Sequence, residues 1–147
     1  MSYSIKVYIH QVTPGKGSYY HVAEKTIWKF ADGGTWTEVN GCHVLKMSGS
    51  GTSGSLRIVS DADESFIVTL GIHSGNQWGD IVTNLKSDQT ACVVNPEYYG
   101  KEIPARGLQR GKQLVSYSVS DSKGRTYSFQ YDTDSKRNDL TVRVTIA

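Results

Sequence analysis

The stretch Thr35–Met47, TWTEVNGCHVLKM, decides the fold. Asn40-Gly41 separates two runs suited to extended chain, Thr35 to Val39 and His43 to Met47. An Asn-Gly pair in that position is the strongest short-range hairpin signal, because both residues accept the positive φ of a tight turn. Outward from this hairpin the pattern stays at period two. Ile5, Val7 and Ile9 alternate with Lys6, Tyr8 and His10, as on a half-buried strand. Ser65 to Ile72 is a β-branched run. Gln113 to Val119 and Arg125 to Tyr131 flank Asp121-Ser122-Lys123-Gly124, and Leu140 to Ile146 follows the polar turn Asp132 to Asp139. Short strands with turn signals at this spacing predict an antiparallel sandwich or barrel.

The middle of the chain reads differently. Trp78, Ile81, Val82 and Leu85 fall at i, i+3, i+4 and i+7, which predicts one face of a helix. Ser74 and Gln77 have capping-box spacing, placing its start near residue 75; Asp80 is the alternative cap of a shorter helix. A second helical piece is expected from Ser87-Asp88 through Val93, with Pro96 marking its end. The expectation is a short helix–loop–helix between two groups of strands.

Composition bounds the function. A chain of 147 residues reads as a single domain over 1–147, with no internal repeat or linker. At that size about 68–70% of the unfolded surface is buried, enough for a core without staples. Lys and Arg number 16 against 14 Asp and Glu, and a charge of +2 is too small to argue for a nucleic-acid binder, where a basic stripe is expected. The two cysteines, Cys42 and Cys92, form neither a zinc spacing nor a disulfide framework. The opening MSYSIKVYIH lacks a secretory pattern and no apolar run is long enough to span a bilayer, so a cytoplasmic protein is expected.

Catalytic patterns are absent as well. Gly51-Thr52-Ser53-Gly54-Ser55 fails the nucleophile-elbow pattern at its fifth place. Gly111-Lys112-Gln113 lacks the upstream glycine and the hydroxyl of a phosphate loop. His10, His21, His43 and His73 are scattered, and nothing in the sequence pairs Asp80 with Glu97. No enzyme, no metal and no cofactor is expected.

Binding groups are more informative. Met47–Arg57, MSGSGTSGSLR, lies between strand-like runs at Cys42 to Lys46 and Leu56 to Val59. Such a loop brings bare backbone close to a ligand and offers uncharged donors and acceptors, which suits a sugar; it equally suits a plain surface turn. If the central helix starts near residue 75, Asp80 and Thr83 face outward. If Asp80 caps it, the amides of Ile81, Val82 and Thr83 point out beside a carboxylate. Either corner can grip hydroxyls, and either is also an ordinary capped, solvated helix face. Arg106 and Arg110 stand with Lys101 and Lys112 in a basic stretch opposed only by Glu102, which reads as a solvated loop. Tyr98, Tyr99 and Tyr117 supply aromatic faces for stacking on sugar C–H groups.

Four segments carry a resemblance. TIWKFADGGTW (Thr26–Trp36), MSGSGTSGSLR (Met47–Arg57), WGDIVTNL (Trp78–Leu85) and NPEYYG (Asn95–Gly100), in this order and spacing, resemble the fungal fruit-body lectin family over nearly the whole chain. The resemblance implies a β-sandwich whose two sheets are joined by a helix–loop–helix, similar to the actinoporins. It implies metal-independent binding of glycans and glycoproteins, homotetramers and a defensive role. Two sugar sites per protomer are implied. One, for the Galβ1-3GalNAc unit of O-glycans (the T-antigen), would use Ala31, Ser50, Gly51 and Ser74. The other, for terminal N-acetylglucosamine (GlcNAc), would use Asp80, Ile81, Val82, Thr83, Arg106 and Tyr117.

The chain departs from the family pattern in places. Ser74 stands where the family usually has Asn, so one sugar contact of about 0.5–1.5 kcal/mol is lost or water-bridged. Asp32 replaces an Asn beside Ala31, and a short insertion separates Gly100 from Arg106. The alternative reading, an actinoporin-like membrane-acting protein, needs an amphipathic N-terminal helix where Tyr3 to His10 reads as a strand.

Overall fold

The structure is a computed structural model that describes residues 2–12, 19–28, 33–133 and 138–147. In chain order the strands are β1 (Tyr3–Gln11), β2 (Tyr20–Trp28), β3 (Gly34–Val39), β4 (Cys42–Met47), β5 (Ser53–Ser60), β6 (Ser65–His73) and β7 (Asn76–Val82). Helices α1 (Ala91–Glu97) and α2 (Pro104–Gly111) follow, then β8 (Ser116–Ser120), β9 (Thr126–Tyr131) and β10 (Asp139–Ile146). A six-stranded sheet, β3-β4-β1-β10-β9-β8, packs on a four-stranded sheet, β2-β5-β6-β7. The expected sandwich is present, and the helical segment carries the chain from β7 of one sheet to β8 of the other. One pairing departs from the antiparallel expectation: β1 and β10 run parallel. β1 is thereby paired on both edges, by β4 and β10, and is a central strand rather than a releasable helix.

Local chemistry sets the turns. Asn40 and Gly41 both have positive φ, 51° and 78°, and Thr35 to Val39 pair with Lys46 to Cys42 as the hairpin requires. At the β8–β9 turn the Asp121 carboxylate accepts from the amides of Lys123 and Arg125, and Gly124 takes φ 83°. Gln113, expected to open β8, instead has φ 50° and donates through Nε2 to the His73 carbonyl.

Between the sheets lies the main core, built from Ile5, Val7, Leu45, Leu56, Val68, Leu70, Phe129, Val142 and Val144, among others. Two strand glycines let aromatic rings from the opposite sheet rest on bare backbone. A Cβ on Gly54 would lie 2.8–2.9 Å from the Trp36 indole, and one on Gly79 would lie 2.6–3.0 Å from the Phe129 ring. This corrects the reading of Met47–Arg57 as one exposed loop. Only its first part is a turn; Ser53 onward is strand β5, with Ser53, Gly54 and Ser55 buried.

The helix expected near residue 75 is a strand, β7, in register with β6 from Ile67↔Val82 to His73↔Asn76. Ser74-Gly75 is the β6–β7 turn, not a helix start. Helical spacing misleads here because β7 is buried on both faces. Ile81 enters the inter-sheet core, whereas Trp78 and Val82 point the other way and pack with Val94 and Tyr98 beneath α1. Asp80 therefore caps no helix and does not face outward; it is 5% exposed within the strand.

Strand β2 escaped the sequence analysis because a bulge between Val22 and Glu24 breaks its alternation. The bulge rephases the strand. Tyr20 and Val22 pack against the inter-sheet core, while Glu24, Thr26 and Trp28 make their contacts on the helix side. Helix α1 starts later than Ser87 and contains Pro96 rather than ending before it. Pro96 is the penultimate helical residue, so its missing N–H removes a single intrahelical bond at the end of the helix. The basic stretch read as a loop forms α2, opened by Pro104 at its first turn.

We expect Gly79→Ala to lower stability by about 1–3 kcal/mol, because the Phe129 ring sits in a packed core and cannot retreat. The check is a urea midpoint that falls with unchanged slope.

Candidate functional site

Two surface clusters gather the expected residues. The first lies where two turns meet. Ser50 Oγ accepts from the Gly75 amide at 3.0 Å, and the Gly51 amide donates to the Ile72 carbonyl at 2.8 Å. Ile72 in turn donates to the Thr52 carbonyl at 3.1 Å. The loop of Ser50 and Gly51 is thus held against Ser74-Gly75, with Ser74 exposed and Ser50 and Gly51 half-buried. Ser74 has φ 51°, a left-handed conformation that Asn tolerates better than Ser. Ala31 and Asp32 lie outside the described residues. A hollow of about 590 Å³ between Tyr3, Thr35, Lys46 and Ser48 opens nearby, but none of the described site residues lines it.

The second cluster is built on β7 and the two helices. Asp80 lies across the strand pair from Thr69, whose hydroxyl is 2.7 Å from Ser55 Oγ. The Tyr98 hydroxyl donates to Asp80 Oδ2 at 2.6 Å, and the Ile81 amide also bonds the carboxylate. Arg106, from α2, donates through Nε to Glu97 Oε1 at 3.1 Å, and its Cζ stands 5.9 Å from the Tyr98 ring centroid. Burial raises the Asp80 carboxyl above its ordinary range, against the pull of the Tyr98 and Ile81 bonds and the charges of Arg106 and Lys112. Burial also raises the Tyr117 phenol, with the Asp80 charge adding to it. Asp80 thus lies within electrostatic reach of Arg106 and Tyr117, while the Tyr117 ring itself packs toward the inter-sheet core, 6.3 Å from Phe129. Ile81 and Val82 send their side chains into the two cores, so only their backbone is available, and Thr83 follows them half-buried.

A buried polar network fixes this corner. Glu24 accepts from the amides of Ala91 and Cys92 at 2.8 and 3.0 Å and from Arg57 Nε at 2.9 Å, which seats the start of α1. Thr90 Oγ1 caps the same turn from Val93 N. Asn95 bridges two strands, accepting from Ser53 Oγ at 3.0 Å and donating to Thr26 Oγ1 at 3.2 Å. Tyr99 donates to Ser53 Oγ, stacks on Trp28 at 4.4 Å and carries the Arg110 guanidinium 4.9 Å from its ring. Arg106 and Arg110 are accordingly half-buried, not solvated as the basic-loop reading held. Tyr98, expected to present an open aromatic face, is fully buried instead, Tyr99 spends its face on Trp28, and neither Glu24, Glu97 nor Tyr98 was read as a partner of Asp80 or Arg106. The NPEYYG segment contained two of them, but their roles depend on contacts with β7, β2 and α2 that are distant in sequence.

The site thus brings together a carboxylate, a guanidinium, phenols, hydroxyls and backbone amides, with Asp80 and Tyr98 buried and Arg106 and Tyr117 half-buried. Among the described residues no three His, Cys, Asp or Glu side chains gather as metal ligands would. Among the same residues no helix is long and apolar enough to cross a membrane. A sandwich of this kind hosts many functions, and comparison with known proteins makes the class specific. The family model described as fungal fruit body lectin matches residues 1–144. Boletus edulis lectin is 44% identical over 131 residues, covering 89% of this chain and 90% of its own. The crystal structure of wild-type Xerocomus chrysenteron lectin matches with a TM-score of 0.92 at 42% identity, over the full length of both chains. A mutated form of that lectin gives a TM-score of 0.92 at 44% identity over 100% of this chain and 99% of its own. The protein is a carbohydrate-binding lectin; the chain belongs to the fungal fruit body lectin family.

Burial opposes ionisation of Glu24, but the Arg57 guanidinium and the two helix amides outweigh it and hold its carboxyl below the ordinary range. A depressed carboxyl stabilises the fold above the unfolded-state pKa, and that contribution is lost as pH falls through the folded value. We therefore expect Glu24→Gln to cost about 1 kcal/mol at neutral pH. The gap to wild type should close as pH falls below about 4, measured by thermal unfolding across a pH series.

Proposed function

We propose that the protein is a metal-independent lectin with two distinct glycan sites per protomer. The uncharged cluster of Ser50, Gly51 and Ser74, with Ala31, takes Galβ1-3GalNAc of O-glycans. The charged corner of Asp80, Arg106 and Tyr117, with the backbone of Ile81, Val82 and Thr83, takes terminal GlcNAc. What supports this reading is that Asp80, on a strand, is within electrostatic reach of Arg106 on a helix and Tyr117 on the second sheet, with Tyr98 bonding Asp80 and stacked near Arg106. A carboxylate accepts sugar hydroxyl protons, a guanidinium and amides donate to hydroxyls or an acetamide oxygen, and a phenol supplies a stacking face.

Each shallow site with a handful of net hydrogen bonds supplies about 4–8 kcal/mol, which is millimolar to micromolar binding. Joining several sites in one particle adds about 10²–10⁴ in avidity. A homotetramer crosslinking surface glycans is therefore part of the proposed mechanism, with cytoplasmic storage and defence against animals that eat the fungus as its setting.

A glycan array tests the reading: GlcNAc-terminated and Galβ1-3GalNAc glycans should both bind, and silence on both would refute it. Arg106→Ala should weaken GlcNAc binding and spare the disaccharide, measured by titration calorimetry; equal loss at both sites would show the division of residues to be wrong. Ser74→Asn should tighten disaccharide binding by up to about tenfold, since the amide adds donors and eases the left-handed backbone. GlcNAc binding should decline on acidification at a higher pH than an exposed aspartate would allow, because burial raises the Asp80 carboxyl. Disaccharide binding should persist to lower pH, since Ser50, Gly51 and Ser74 carry no ionisable group and Asp32 is the one acidic neighbour of Ala31 in sequence.

A further inference from the structure

We infer that Glu97 and Tyr98, consecutive residues at the end of α1, are positioning residues that hold Arg106 and Asp80 apart and aimed at a shared GlcNAc ligand. The inference deepens the proposed function and rests on its assignment of the Asp80 corner.

The geometry supplies two tethers. Tyr98 is fully buried, and its hydroxyl donates to Asp80 Oδ2 at 2.6 Å, the length of a charge-assisted bond. Glu97 takes Arg106 Nε at 3.1 Å, with the two side chains 19% and 18% exposed. Arg106 also lies 5.9 Å from the Tyr98 ring centroid. Asp80 and Arg106 are opposite charges close enough to influence one another, yet the ion pair that forms is Arg106–Glu97.

A direct Asp80–Arg106 pair would consume the acceptor and the donors that a sugar needs. Glu97 takes the Nε N–H, and among the described residues no other acceptor holds the guanidinium. Tyr98 occupies one carboxylate oxygen and fixes the rotamer of the whole group. Both recognition groups are then preorganised, so binding spends little on ordering them. The groups around Asp80 come from every packed element: Thr69 on β6, the Ile81 amide on β7, Tyr98 after α1, Arg106 on α2, Lys112 after it and Tyr117 on β8.

The two tethers have opposite consequences for protonation. Removing the Tyr98 hydroxyl takes away a bond to ionised Asp80 and makes the carboxylate easier to protonate. Removing the Glu97 charge releases Arg106 toward Asp80 and makes it harder to protonate. Titration calorimetry with N-acetylglucosamine and with Galβ1-3GalNAc across a pH series, on Tyr98→Phe, Glu97→Gln and Asp80→Asn, tests this. We expect Tyr98→Phe to weaken GlcNAc binding by about 5–50-fold and to move the acid midpoint of binding upward. Glu97→Gln should weaken GlcNAc binding several-fold and move that midpoint downward. Disaccharide affinity should be unchanged in both. Parallel loss of both sugars with a fixed midpoint would assign the two residues a merely structural role and overturn the inference. Full GlcNAc binding by Tyr98→Phe and Glu97→Gln, with loss in Asp80→Asn, would overturn it while sparing the proposed function. Full GlcNAc binding by Asp80→Asn would overturn both.

Discussion

Helix α1 cannot hold its own shape. Seven residues, one of them proline, fall far short of the length at which a helix is stable in water. It exists because the outer face of the four-stranded sheet grips it at three points. Glu24 seats its first amides, Asn95 ties its middle to Ser53 and Thr26, and Tyr98 anchors its end on Asp80. Val94 and Tyr98 then close an apolar cluster over Trp78 and Val82. The placement of α1 in turn decides where Glu97 meets Arg106, and hence where α2 lies. A buried polar network is tolerable only when its members find partners, and Glu24, Ser53, Asn95, Tyr98 and Asp80 each do.

That dependence explains the character of the four-stranded sheet. One face fills the sandwich and the other carries α1, so β6 is buried from Phe66 through Ile72 without alternation. The six-stranded sheet keeps a clean alternation in β1 and β10 because its other face is polar. The inter-sheet distance is set by contacts that need missing side chains: Trp36 over Gly54 and Phe129 over Gly79. Trp36 Nε1 also reaches the Thr26 carbonyl, and the Tyr131 hydroxyl reaches the Trp78 carbonyl, so the same aromatics satisfy backbone groups across the layers. Gly79 immediately precedes Asp80, which couples core packing to the Asp80 corner.

The serine and glycine content of Ser48–Ser55 has two separate uses that composition cannot tell apart. Ser50 and Gly51 build a turn against Ser74-Gly75, as a ligand-approach loop would. Ser53, Gly54 and Ser55 are interior strand residues, there for Asn95, Trp36 and Thr69. Small residues permit close approach by any neighbour, and only the fold determines which neighbour comes.

By itself the sequence determined what is written in local chemistry and one-sided burial. Asn40-Gly41 and Asp121–Gly124 set their turns through φ preference and side-chain caps, and β1, β9 and β10 showed the period of a strand with one wet face. The residues of the Asp80 corner were legible as types through the resemblance. Tertiary structure alone decided that Trp78–Val82 is a strand, that β2 carries a bulge aiming Glu24 at α1, and that Asp80 is buried beneath Tyr98 rather than exposed on a helix. In β2 the bulge shifts the pattern mid-strand, and for β7 with its Asp80 the reason is burial on both faces. Hydrophobic periodicity reports burial from one side and is erased when a segment is buried from both. The contacts that then choose its conformation, such as Glu24 with Ala91 or Asp80 with Tyr98, join residues that the chain keeps far apart.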